Sequence, residues 1–106
     1  MKSILILIAF VLSFNMFSQE PTLLYMNSDW NHKNDYIFLK SIKGVKILEV
    51  DYDSQPDKFK EAVKSVPAII LFDKNKKLKK IWQAGLTMKL SVDPKDIQKA
   101  INELNK

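Results

Sequence analysis

Five consecutive apolar residues, Ala68-Ile69-Ile70-Leu71-Phe72, follow Pro67 and stop at the polar stretch Asp73-Lys74-Asn75-Lys76-Lys77. A short apolar run with no alternation marks a strand buried on both faces. Such a strand needs a sheet with cover above and below it. The remaining segments supply that cover in quick succession. Residues 22–26 are a second short β-rich run, broken by Asn27-Ser28-Asp29. Residues 34–43 mix Tyr36, Ile37, Leu39 and Ile42 with lysines and are expected to form a helix ended by Gly44. Residues 45–52 predict a central strand. Ser54-Gln55-Pro56-Asp57 predicts a capped helix start, with Phe59, Ala62, Val63 and Val66 on one face. That helix is expected to end at Pro67.

After 68–72, the polar turn and residues 78–84 complete a β-hairpin with a longer than minimal loop. Asp93-Pro94-Lys95-Asp96 opens a last helix, with Ile97, Ala100, Ile101 and Leu104 at helical spacing. The order is β-α-β-α-β-β-α. It predicts an α/β fold with a mixed four-stranded sheet and helices on both faces, the first two strands being parallel.

The first nineteen residues stand apart. Met1-Lys2-Ser3 is a basic start, and 4–17 are apolar apart from Ser13 and Asn15. This is the pattern of a secretory signal peptide, and at fourteen residues the run is short for a bilayer span. The expected division is a signal peptide at 1–19 and one domain at 20–106. The chain is expected to be exported, to the periplasm or the extracellular space, whether the segment is cleaved or stays as an anchor. No cysteine occurs in the 106 residues, which excludes a lipid-modified N-terminal cysteine and any disulfide.

All 17 basic residues are lysines. Without arginine, and without a basic stripe interleaved with aromatics, no nucleic-acid partner is expected. Lys74, Lys76, Lys77, Lys79 and Lys80 form the one dense basic run, and its simplest role is a solvated hairpin.

The element order resembles that of the thioredoxin-like superfamily, and two stretches carry the likeness further. In thioredoxins the loop after the first strand holds Trp-Cys-x-x-Cys. Here the matching residues are Trp30, Asn31, His32, Lys33 and Asn34, with asparagine in both cysteine positions. Ser65-Val66-Pro67-Ala68 is similar to the family's cis-proline segment, and Gly85 stands where the family often has a glycine. The resemblance covers about 21–105, without the extra N-terminal strand and helix of full-length thioredoxins.

The resemblance implies a cis Val66-Pro67 bond, where the residues alone predict trans. It also implies a shallow peptide groove lined by Trp30, Asn31, His32, Val66 and Pro67. In the family the first cysteine is activated at a helix N-terminus and the second resolves the mixed disulfide. Asparagine does neither, so no thiol–disulfide activity and no catalytic residue are expected. Asn31 and Asn34 suit helix capping, worth about 1 kcal/mol each, with direct binding as the other role. Tyr25 takes the position where some thioredoxins keep a buried acid.

His32 with Asp29 and Asp35 lacks the spacing of a metal-ligand set, and no motif gives His32 a nucleophile to activate. Trp82 is expected to pack. The expected function is therefore a protein- or peptide-binding module with no cofactor, no metal, no nucleic acid and no membrane contact after signal cleavage. The alternative is an accessory subunit of a thiol–disulfide system whose partner supplies the cysteine.

Overall fold

The computed structural model describes residues 20–106. The segment expected to be a signal peptide lies outside them. Four strands form one sheet: β1 (Thr22–Asn27), β2 (Lys46–Asp51), β3 (Ala68–Phe72) and β4 (Leu78–Gln83), in the order β2-β1-β3-β4. β1 pairs with β2 in parallel and with β3 antiparallel, and β3 pairs with β4 antiparallel. Two α-helices follow from the same sequence signals, α1 (Asp57–Ala62) and α2 (Pro94–Leu104).

Period-two alternation sends each strand's side chains to two separate cores. On one face Leu24, Met26, Ala68, Ile70 and Phe72 meet Phe59 and Val63 from α1 and its C-terminal end. On the other, Leu23, Tyr25, Ile69 and Leu71 meet Ile97 and Ile101 of α2 and Tyr36, Leu39 and Ile42 of the β1–β2 connection. Every residue of β3 is buried, as the uninterrupted apolar run requires. Trp82 is half-buried and packs on the α2 side.

Three local expectations are corrected. The α-helix expected over 34–43 is absent. The connection is made of two 3-10 segments, Asp29–Asn34 and Leu39–Ser41. Tyr36, Leu39 and Ile42 are buried while Ile37 and Phe38 are exposed, and of the three buried residues only Leu39 lies in a 3-10 segment, Ile42 being extended. The β-branched and aromatic residues here are also indifferent helix formers.

β2 is an edge strand rather than a central one. Its residues are half-buried or exposed, whereas β1 is buried throughout and takes the centre. Glu49 and Asp51 need water on that edge.

α1 stops at Ala62 instead of running to Pro67, and it has no side-chain N-cap. Tyr52–Ser54 forms a 3-10 turn, so the Ser54 hydroxyl donates to Asp51 Oδ2 (2.6 Å) and is unavailable as a cap. Tyr52 closes the other end of α1, its hydroxyl donating to the Val63 (2.6 Å) and Lys60 (3.2 Å) carbonyls. α2 has the expected cap, with Asp93 Oδ1 accepting from Lys95 N at 2.9 Å ahead of Pro94.

Candidate functional site

The carboxyl ends of β1 and β2 and the amino end of β3 lie at one pole of the sheet, because Met26 pairs with both Val50 and Ala68. The turn that follows β1 therefore faces the loop that precedes β3. The Val66–Pro67 peptide bond in that loop is cis. Ala84 N donates to the Pro67 carbonyl (3.1 Å) and Ser65 Oγ to the Ala84 carbonyl (2.7 Å), which ties the proline loop to the end of β4.

Asn31 joins these segments. Its side chain is buried, and its Nδ2 donates toward three oxygens: Met88 O at 2.9 Å, Asn27 Oδ1 at 3.1 Å and Val66 O at 3.2 Å. Asn34 Nδ2 donates to Asn31 Oδ1 (2.8 Å), and Asn27 Nδ2 donates to the Asn31 carbonyl (3.2 Å). The capping role expected for Asn31 and Asn34 is thus corrected. Their side-chain oxygens and amides bind one another and distant carbonyls, and Ser28 at the N-cap makes no side-chain cap either. No regular helix starts here, since Asn31 itself departs from helical geometry at φ −112°, ψ 16°.

The other expected positions are distributed differently. Trp30 is 63% exposed. His32 and Lys33 are exposed and Asn34 is half-buried, while Val66 and Pro67 are buried. The structure joins Asn31 directly to Val66. His32 turns instead to Asp35, with Nδ1 2.7 Å from Asp35 Oδ2.

Three further residues complete this centre, of which sequence singled out only Asp35, as a rejected metal ligand beside His32. Asn27 and Asp35 complete a polar chain beneath the turn: Asp35 Oδ1 accepts from Asn27 Nδ2 (2.6 Å) and from the Tyr25 hydroxyl (2.7 Å). The Tyr25 oxygen in turn accepts from Tyr36 N (2.9 Å). Tyr25 thus holds a carboxylate from the next loop where it supplies none of its own. The available signal was strand alternation, which puts Tyr25 and Asn27 on one face of β1. Met88 is the third. It adopts φ +57°, a left-handed conformation that a non-glycine residue holds only when its surroundings enforce it. Its N–H bonds to Gly85 O (3.0 Å) and its carbonyl takes the Asn31 amide.

Beside this chain lies an open cleft of ≈ 230 Å³ lined by Tyr25, Asn27, Asp29, His32, Asp35, Glu49 and Asp51, among others. Its carboxylates do not form a metal set: among the described residues, no group of three or more His, Asp or Glu is arranged to hold an ion.

Burial pushes the Tyr25 phenol far up, reinforced by the Asp35 carboxylate, so it stays a donor at all physiological pH. Burial also pushes the Asp35 carboxyl up. Hydrogen bonds from Asn27 and Tyr25, with the nearby His32, outweigh burial and leave it below its ordinary value. A carboxyl depressed in the folded state contributes stability above its unfolded pKa and loses it as pH falls through the folded one. Urea midpoints measured through the acid range are therefore expected to fall below about pH 4. Asp35→Asn is expected to flatten that fall, and an unchanged slope would show the network to be insensitive to Asp35.

No protein-family model and no curated protein sequence matches the chain. Solved structures do. One, from work on the thiol-resolving mechanism of yeast mitochondrial 1-Cys peroxiredoxin through the glutathione and thioredoxin systems, superposes with a TM-score of 0.56. It is 17% identical, over 89% of this chain and 88% of that one. The structure of Trxlp from Edwardsiella tarda EIB202 also gives 0.56, at 15% identity over 87% and 91%. The sheet order, the parallel β1–β2 pair, the hairpin and these superpositions agree: the fold of this chain is thioredoxin-like, with no cysteine to form a Cys-x-x-Cys active site.

Proposed function

We propose that the chain is an exported, redox-inactive module that binds a protein or peptide through the surface around Trp30. The observation that carries this is Trp30 itself, a large amphipathic ring 63% exposed on a turn that the Asn31 network pins to two other loops. Exposed tryptophans on rigid supports are typical interface anchors. Leu86, fully exposed two residues before Met88, adds apolar area on another of the pinned loops. Val66 and Pro67 are buried in the loop that Asn31 ties to this turn. Asn31 already donates to the Val66 carbonyl, so side chains rather than that carbonyl carry most of the contact.

Export rests on the basic start and apolar run of 1–19. Lack of thiol chemistry follows from the composition, since asparagine amides are neither nucleophiles nor redox groups at these positions.

The test is affinity capture with the chain, followed by titration of the recovered partner. Trp30→Ala is expected to weaken binding about 30-fold or more, with little change in thermal midpoint because the ring is mostly exposed. Undiminished affinity would move binding to another surface. The accessory-subunit alternative is separated in the same assay. Alkylating the partner's thiols abolishes capture there and leaves simple binding intact.

A further inference from the structure

The fold gathers lysines that are scattered in sequence. Thr22, the first residue of β1, pairs with both Lys46 and Phe72, so the amino ends of β1 and β2 share a pole with the β3–β4 turn. The turn brings Lys74, Lys76 and Lys77, and Lys79 follows on β4. Lys43 comes to the same pole because Gln98 of α2 holds its backbone from both sides (2.8 Å each). Lys106 comes there because Asn105 Nδ2 donates to the Gly44 carbonyl at 2.9 Å. The acids at this pole are Glu20, Asp73 and Glu103; Glu103 lies beside Lys79 and Lys106, and Asp73 is taken up by Lys79 at 3.7 Å and by the turn's own backbone. At the opposite pole stand Asp29, Asp35, Glu49, Asp51 and Asp53, which outnumber Lys33, Lys64 and Lys89 there. The molecule is thus charged end to end, with Trp30 at the acidic end.

A second observation selects the partner. The apolar run 4–17 joins the domain at the lysine pole, separated from β1 by residues 18–21 alone. Four residues span at most about 14 Å when fully extended. A single short apolar element holds a bilayer only weakly, and a neighbouring polybasic patch is the usual second signal. Anionic headgroups attract lysines within a Debye length of the surface. We propose that the lysine pole docks on an anionic lipid surface and that the Trp30 face points away from it. In sequence, only the hairpin run Lys74, Lys76, Lys77, Lys79 and Lys80 stands out. Their union with Lys43, Lys46 and Lys106 is what folding adds.

The test uses the full chain with phosphatidylcholine vesicles, with and without phosphatidylglycerol, at low and at physiological salt. Binding is expected to be tighter on the anionic vesicles and to weaken as salt rises. Lys74→Gln with Lys77→Gln is expected to lower it by about 25-fold, at roughly fivefold per lysine. Lys64→Gln with Lys89→Gln removes the same charge away from this pole and is expected to change it less than about twofold. Equal binding to both vesicle types, or equal loss in both double variants, overturns the proposal. So does competition by heparin or polyglutamate as strong as that by anionic vesicles, which would assign the pole to an acidic polymer.

Discussion

Replacing Asn31 with aspartate is expected to destabilise the domain by about 3–5 kcal/mol at neutral pH, although the two side chains have almost the same shape. The amide nitrogen donates to the Val66, Met88 and Asn27 oxygens in a site where the side chain is 2% exposed. A carboxylate only accepts. It would set an anionic oxygen against two carbonyls in a site almost closed to solvent, with Asp35 in the same network. Protonating it returns one donor, so the variant carboxyl has a folded pKa above its unfolded one. A raised pKa contributes stability at low pH and loses it as pH rises through the folded value. The deficit against the parent is therefore expected to shrink as pH falls from the raised folded value toward the unfolded one near about pH 4, opposite in sign to the Asp35 effect. Asn31→Ala, which removes the donor without adding charge, is expected to cost less. Urea unfolding of the three proteins across pH checks this, and an aspartate variant as stable as the parent at neutral pH would show that the network does not hold the loops.

A comparable loss is expected at Phe59, for an apolar reason. α1 has six residues, far short of the roughly 12–15 that an isolated helix needs. It lacks a side-chain N-cap, so burial of Phe59 and Val63 holds it on the sheet. Phe59 is 1% exposed and belongs to the cluster of Leu24, Met26, Ile70 and Phe72. Phe59→Ala is expected to cost about 3–5 kcal/mol through lost burial and a residual cavity. Against the roughly 5–10 kcal/mol that a domain of this size has in total, that lowers the thermal midpoint by about 15–30 °C or prevents folding. Phe59→Leu keeps most of the volume and is expected to recover at least half of the loss. Thermal melts followed by circular dichroism distinguish these outcomes. A shift under about 5 °C for the alanine variant would mean that α1 is not held by this face.

The two results bear on function together. Asn31 sets where the Trp30 turn stands relative to the proline loop. The Phe59 core supports the sheet end from which both emerge. A variant that loses binding through Asn31 should also lose stability, whereas Trp30→Ala should lose binding alone.

The departure from a Cys-x-x-Cys site runs deeper than two missing thiols. A cysteine placed at position 31 would not sit at the start of a regular α-helix, because the segment is a kinked 3-10 turn. The Asn31 N–H that such a helix would leave open is bonded to Ser28 O at 2.9 Å. Asp29, Asp35, Glu49 and Asp51 line the cleft beside the turn, where a thiolate would meet like charge.

Much of this was legible from the residues alone. An unbroken apolar run needs no tertiary information to be recognised as a strand covered on both sides, and β3 occupies the same five residues. Asp93-Pro94 and the Ile97–Ile101 spacing specify α2 because capping and helical period are local. The asparagines at 31 and 34, Trp30 before them and Pro67 later in the chain were also visible as a constellation. What folding decided was where side chains reach. Tyr36, Leu39 and Ile42 fit the spacing of an α-helix, yet all three are buried from an irregular connection in which only Leu39 is in a 3-10 segment. β2 resembled a central strand because apolar content does not say which neighbour is present. The asparagines suited local caps, but a buried amide takes whichever acceptors the tertiary fold leaves open. Here those are carbonyls 35 and 57 residues away. Local periodicity and capping are written in neighbouring residues. The pairing of a buried polar group is settled only when distant segments close around it.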